Sequence, residues 1–334
     1  METHGGRRIS FGLNRLSRAL PAVAGLCAAA AIAGGFFGTA IRPLDSFAHF
    51  REHLAFVAVF LAVVSMAVSG SWTKFAGLVV GGSAVLALLS TTPFTVADTS
   101  RTQTAGNGDR LYSHLQMNLL FDADTAPAVA LIRELEADFV TLQEAPPRWI
   151  KALQAVTDIY PHRFACGASV PVGGPVILSR WPIEAGSEEC KANLGFASAR
   201  VALGKDGKLT LVSQHLHWPW PFQQWPQIDA LSGALRGLPR PLLIGGDFNA
   251  TPWSAAIASF AEASETIPIE GIGPTFAPSD LPASWKRSIG LAIDNVLASR
   301  EIDILSTRTL KPTASDHLPV LTRFSIVRRT GIPY

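Results

Sequence analysis

Cysteine is scarce: three residues in a chain of 334, too few for the disulfide framework on which small secreted domains rely. Cys27 lies in an apolar run and reads as a small core or lipid-facing residue. Cys166 and Cys190 could pair in an oxidising compartment, although sequence alone does not place their Cα atoms within bonding distance. A basic excess is also missing where nucleic acid would need it. Residues 1–97 carry seven basic against three acidic side chains, or +4, which leaves twenty-one basic and twenty-three acidic, or −2, for the remainder. A body of that balance is poorly suited to holding long nucleic acid by counterion release, though a local basic patch stays compatible with it. No internal repeat and no low-complexity segment is present, so repeat arrays and biased tails are excluded.

Long apolar runs, by contrast, fill the N-terminal third. Leu20–Ile41 holds twenty-two residues without a charge, enough at 1.5 Å per residue to cross a hydrocarbon layer of roughly 30 Å. His53–Gly70 and Phe75–Val96 are two further runs of the same kind. A cleaved signal peptide could explain the first, with its arginines and small residues. It does not explain the next two, which follow within a few residues and leave no room for a soluble fold. The expectation is a multi-pass anchor over residues 1–97 with three transmembrane helices. Arg7, Arg8, Arg15 and Arg18 precede the first span, against Arg42 and Arg51 after it. This favours a cytoplasmic N-terminus and places the remaining chain on the periplasmic or extracellular side.

Residues 98–110 (DTSRTQTAGNGDR) read as a polar linker. From Leu111 short apolar runs alternate with helical periodicity, and the spacing predicts about ten strands. The eight clearest lie over 111–119, 139–143, 174–178, 199–203, 209–215, 241–245, 293–298 and 320–326, with helices over 125–137, 147–156, 226–236 and 254–261. Two packed sheets covered by helices accommodate such a set.

Polar residues of a hydrolytic site belong at the ends of apolar strands, where loops expose them on a rigid scaffold. Asn118 closes a strand in LQMNLL, Glu144 in FVTLQEAP and His215 in TLVSQHLH. Asp247 and Asn249 end LLIGGDFNATPW, Asp316 and His317 open TASDHLPVL, and Asp294 begins IDNVLAS. Each alone has an ordinary explanation, such as a solvated loop acid, a packed surface histidine or an Asx turn. The combination is far more specific. An apolar strand followed by GDFN, and some seventy residues later by SDHLP, resembles the endonuclease/exonuclease/phosphatase superfamily from about Leu111 to Phe324. That group includes deoxyribonuclease I-like nucleases, abasic-site endonucleases, neutral sphingomyelinases and inositol-polyphosphate phosphatases. The nearest subgroup has N-terminal membrane helices and a Pro-rich stretch after the central histidine, here His215 to Pro226.

The resemblance implies a four-layer α/β/β/α sandwich over residues 111–334, with its site at one end of the sheets. It implies a divalent cation, Mg²⁺ with Mn²⁺ as the alternative, held by Glu144 and completed or oriented by Asn118 and Asp316. Asp247 would position or deprotonate the attacking water, and Asn249 would hold a phosphate oxygen. His317 paired with Asp294 would stabilise transition-state charge, and His215 would contact the phosphate or the leaving oxygen. Two departures stand out. Leu120 occupies a position where abasic-site endonucleases carry an acid, and Asn295 one where many members have His or Tyr.

The expected activity is therefore a membrane-anchored, metal-dependent phosphoester hydrolase. Its substrate could be nucleic acid, a phospholipid head group or a small phosphate ester, and no protein partner is implied. A binding module on a degenerate nuclease-like fold is the alternative, which retention of Glu144, Asp247 and His317 disfavours. Trp218, Trp220, Phe222 and Trp225 crowd into HWPWPFQQWP. They suit a Pro-stiffened loop packed on the domain, a platform for bases, or a wedge into the lipid interface.

Overall fold

The computed structural model of this chain describes residues 5–68, 70–95, 110–278 and 281–327. The linker expected over 98–110 falls, except for Arg110, outside them. The chain divides into two compact units, Met1–Thr92 and Pro93–Tyr334.

The first unit is helical: α1 (Gly5–Gly34), a 3₁₀ segment (Arg42–Phe50) running directly into α2 (Arg51–Ala67), and α3 (Ser71–Thr95). Three stretches, Ala19–Phe37, Arg42–Ala67 and Ser71–Thr95, are long and apolar enough to cross a membrane. Small side chains let these helices approach closely: Ala28, Ala29, Ala55, Ala58, Ala62, Ala84 and Ala87 form the shared seam with Ile32 and Val80. Bulky apolar groups such as Phe56, Phe60, Leu78 and Leu89 point outward and are exposed, the reverse of a water-soluble bundle. The turn into the second apolar helix is better built than sequence suggests. Arg51 is buried, donating to the Gly35 carbonyl at 3.0 Å and to Ser90 Oγ at 3.2 Å. It is thus part of the helical packing and not of an exposed loop.

The second unit contains, among the described residues, the strands β1 (Tyr112–Asn118), β2 (Phe139–Ala145), β3 (His162–Ala165), β4 (Gly174–Ser179), β5 (Glu189–Lys191) and β6 (Phe196–Ala202). They continue with β7 (Lys208–His215), β8 (Leu242–Asp247), β9 (Ile267–Pro268), β10 (Asp294–Ala298), β11 (Ile302–Thr309) and β12 (Val320–Ile326). Two six-stranded mixed sheets result, in the orders β11-β12-β1-β2-β4-β3 and β5-β6-β7-β8-β10-β9. Each has one parallel pair, β1 with β2 and β7 with β8, and is otherwise antiparallel.

Three apolar cores define four layers. One fills the gap between the sheets with Tyr112, Phe139, Ile177, Leu211, Leu243 and Val296. A second joins Leu115, Met117, Val140 and Leu142 to α4 (Thr125–Leu135) and α5 (Pro147–Ala152) through Ile132 and Trp149. The third joins Val212, Leu242 and Ile244 to α6 (Gln224–Arg236) and α7 (Ala255–Ser264) through Leu231 and Phe260. The two-residue period of a strand thus sends alternate side chains to a helix layer and to the inter-sheet gap. A disulfide between Cys166 and Cys190, with Cα atoms 5.4 Å apart, ties the end of β3 to β5. It links the edge strands of the two sheets.

Within the gap each row changes character along its strand. Phe139 gives way to Thr141 and Gln143, Leu211 to Ser213 and His215, and Tyr112 to His114, Gln116 and Asn118. The row of β8 runs Leu243, Gly245, Asp247, and its glycine is required by a close approach. A Cβ there would lie 2.5 Å from both His114 Cε1 and Thr141 Oγ1 on the facing sheet. Those two atoms belong to a buried pair joined at 2.8 Å. Gly245→Ala should therefore destabilise the protein by about 1–3 kcal/mol, as overpacking does, measured as a lower midpoint in denaturant unfolding. An unchanged midpoint would show that the sheets can separate without penalty.

Candidate active site

Chain direction and register bring the polar ends of these rows together. Parallel β1 and β2 finish at the same end, as do β7 and β8, so Asn118, Glu144, His215 and Asp247 emerge side by side. Register pairs Asn118 with Gln143 and His215 with Asp247. The antiparallel strands contribute their first residues instead: Asp294 opens β10 opposite Asp247, and His317 precedes β12, which runs antiparallel to β1. Residues nearly two hundred positions apart thereby share one cluster.

Asn118 sits at its centre. Its amide nitrogen donates at 3.0 Å to both Glu144 Oε1 and Asp247 Oδ2, while its carbonyl oxygen accepts from the Leu120 amide. One neutral group thus separates two carboxylates that would otherwise repel. Glu144 has φ of 57°, a left-handed backbone uncommon for a residue with a side chain and often found where function demands it. An irregularity in the β2–β4 pairing falls at this point, between Leu142 and Ala145. Oε2 of Glu144 accepts from the Phe121 amide at 3.1 Å.

His215 Nε2 lies 3.6 Å from Asp247 Oδ2 and 3.9 Å from Glu144 Oε1. His317 Nε2 approaches the same Asp247 oxygen at 3.6 Å, and its Nδ1 meets Asp294 Oδ2 at 2.7 Å. Burial alone would lower the pKa of His317, but Asp294, Asp247 and Asp316 outweigh it and raise it to about 10. Burial pushes Asp247 upward against the pull of His317 and His215. Asp316 is likewise raised by burial, and its Oδ1 is buried without a hydrogen-bond partner. Asn249, with φ of 47°, donates through its side chain to the Leu216 carbonyl at 2.8 Å. Its own Oδ1 is buried and unpartnered.

Four carboxylates in so small a volume suit a cation. Glu144, His215 and Asp247 each offer a ligand atom within 4.8 Å of the others, as do Asp247, Asp294 and His317. The second group is already committed internally, because His317 and Asp294 hold each other. The oxygen-rich first group, with the orphaned Asp316 oxygen nearby, fits a hard divalent ion.

Several contributors escaped the sequence reading. Gln116 donates to Asp294 Oδ1 at 3.0 Å and to Gln143 Oε1 at 2.9 Å, buttressing the acid that holds His317. Lying two positions before Asn118 it shares that residue's face, and strand alternation alone could have exposed it. Ser315 Oγ donates to the Asn118 carbonyl at 2.8 Å and accepts from the His317 amide at 3.0 Å, joining the first strand to the last loop. Gln227 reaches the Leu194 and His215 carbonyls, each at 2.9 Å. Phe276 lies against the His317 ring, with centroids 4.9 Å apart.

Residues 115–317 match the sequence profile of the Endonuclease/Exonuclease/phosphatase family, a stretch that holds all eight predicted site residues. No curated protein matches the chain at the sequence level. Among solved structures, an endonuclease/exonuclease/phosphatase from Bacteroides vulgatus is similar with a TM-score of 0.54 and 16% identity, over 65% of this chain and 100% of that one. D. rerio TDP2 complexed with a single-strand DNA product gives 0.51 and 16%, over 65% and 99%. An endonuclease/exonuclease/phosphatase family protein from Bacteroides thetaiotaomicron gives 0.51 and 12%, over 66% and 99%. At such identities the likeness concerns the fold.

The raised His317 makes a pH prediction. A histidine whose folded pKa exceeds its unfolded value of about 6.5 stabilises fully below that value and ceases to do so as pH rises through about 10. The unfolding midpoint of the parent should exceed that of His317→Gln most at about pH 6.5 and below, and the difference should shrink as pH rises towards 10. Tryptophan emission during unfolding provides the measurement, and a pH-independent difference would count against the imidazolium.

Proposed function

This chain belongs to the endonuclease/exonuclease/phosphatase family, and from that premise we propose that it is a divalent-metal-dependent phosphoester hydrolase anchored in a membrane. The observation that carries the reading is the shared cluster of Glu144, His215, Asp247, Asp294, Asp316 and His317, drawn from both sheets to one end. Glu144 and Asp316 would hold the cation, with the Asn118 amide orienting Glu144. A bound cation supplies polarisation of the phosphoryl oxygen and stabilises a departing oxyanion. Mg²⁺ or Mn²⁺ suits the oxygen-rich donors.

The remaining roles follow from the side chains themselves. Asp247, whose pKa burial pushes upward, is a stronger proton acceptor than an ordinary carboxylate and would take the proton of the attacking water. As the water oxygen bonds to phosphorus, the bond to the leaving group breaks. The cationic His317, fixed by Asp294, faces the charge that develops on the phosphoryl group. His215 would contact the phosphate or the leaving oxygen, and Asn249, whose amide already donates to the Leu216 carbonyl, would turn its remaining N–H to a phosphate oxygen. Retention of this whole set disfavours a binding module without catalysis.

Two observations support an outward-facing body: the excess of basic residues before the first span, and the Cys166–Cys190 disulfide, which persists in oxidising compartments. Alkaline phosphatase fused after Asp109 in a bacterial host should be active, and green fluorescent protein fused there should stay dark. The opposite pair of results places the body in the cytoplasm.

Catalysis is tested by variants that should fail differently. Glu144→Ala removes a direct anionic ligand, so activity should fall and recover in part at high Mg²⁺. Asp247→Asn keeps the shape but not the proton acceptor, and kcat should drop by about two to four orders of magnitude without rescue by metal. The measurement is kcat against Mg²⁺ concentration on bis-p-nitrophenyl phosphate. Full activity of Asp247→Asn, or parent activity indifferent to EDTA, would refute the mechanism.

A further inference from the structure

Large aromatic side chains are distributed unevenly over the second unit. Among its described residues the exposed ones are Phe121, Trp218, Trp220, Phe222 and Trp285, and all five lie on segments that border the catalytic cluster. Phe121 gives its amide to Glu144. Trp218 meets Phe276 edge-on at 5.9 Å, and Phe276 in turn packs on His317. Trp285 and Ile289, four residues apart and both exposed, belong to α8 (Ala283–Ile289), which leads into the pairing of Leu291 with Phe276. The neighbouring Lys286 donates to the Ser315 carbonyl.

The Trp218–Phe222 loop is a stiff projection. Pro219 and Pro221 restrict it, and its base is pinned by two buried glutamines. Gln224 donates to the His217, Phe248 and Asn249 carbonyls, and Gln227 accepts from the His217 amide. Trp225 turns inward, but Trp220 and Phe222 remain 57% and 63% exposed. Holding large apolar groups in water beside a polar site signals a surface that meets something apolar.

We propose that this aromatic rim is a docking surface for the interfacial layer of the bilayer in which the chain's own helices are anchored. The proposal rests on the membrane-anchored reading above. Only residues 96–111 separate α3 from β1, so the tether between helices and body spans at most about 55 Å when fully extended. Trp favours the depth of the head groups, where its apolar ring and polar N–H edge are both accommodated, and Phe adds an apolar ring to the same surface. Nucleic acid is the less suitable occupant, because residues 98–334 carry twenty-one basic against twenty-three acidic side chains and so lack the basic excess that holds a phosphate backbone.

The test compares the full chain with Trp220→Phe, both reconstituted in phosphatidylcholine vesicles with brominated or ordinary acyl chains. The emission lost on substitution isolates Trp220. It should lie to the blue of its position in detergent and be quenched by the brominated lipid. Emission from Trp220 that is unquenched and unshifted overturns the proposal. So does quenching by a single-stranded oligonucleotide in place of lipid, which would make the rim a platform for bases. A chain that leaves the vesicles on carbonate washing overturns the anchoring and the docking together. Hydrolysis of bis-p-nitrophenyl phosphate, measured on the same samples, reports separately on catalysis: its absence with Trp220 quenched defeats the enzymatic reading and leaves the docking surface standing.

Discussion

Side-chain alternation along paired strands is the constraint on which the second unit depends. Every strand of the two sheets must present one row of side chains to the gap and the other to a helix layer. The gap rows begin with Tyr112, Phe139, Leu211 and Leu243 and end with Asn118, Gln143, His215 and Asp247. A register slip of one residue in β1, β7 or β8 would withdraw a candidate site residue from its place in the gap. Fold and site are therefore specified by the same pairing.

Within that frame the electrostatics are managed by few groups. Four carboxylates converge, and no lysine or arginine makes an ion pair with Glu144, Asp247 or Asp294 among the described residues. Repulsion is moderated by the bridging Asn118 amide, by His317 between Asp294 and Asp247, and by Gln116 behind Asp294. Such an arrangement leaves net negative potential for a cation to neutralise. It also keeps one imidazole charged in a place where burial alone would discharge it.

The central strands were legible because apolar runs ended in isolated polar residues, as in FVTLQE and LLIGGD. The edge strands were not. His162–Ala165, Glu189–Lys191 and Ile267–Pro268 are too short for alternation to show, and Ile302–Thr309 exposes enough polar side chains to read as loop. The helix expected from Pro226 starts at Gln224, since Gln224 and Gln227 serve carbonyls far away in sequence. The role of Ser315 was invisible for a related reason: although it is the serine of SDHLP, nothing local says that its hydroxyl will bridge Asn118 and His317. Local pattern reveals what a strand does, whereas these residues act across contacts that exist only after folding. The aromatic loop was visible as composition, but only the structure separates inward Trp225 from outward Trp220 and Phe222.

The graded rows carry a consequence for how such a protein can diversify. The apolar beginning of each strand and its polar end lie four to six residues apart, yet they answer to different demands: one to the free energy of folding, the other to the chemistry proposed for the site. Substitutions at the ends of β1, β2, β7 and β8 can change the chemistry while Tyr112, Phe139, Leu211 and Leu243 keep the sheets together. New leaving groups can thus be explored by a lineage without reinventing its scaffold, and a stable but inactive descendant is only one codon away.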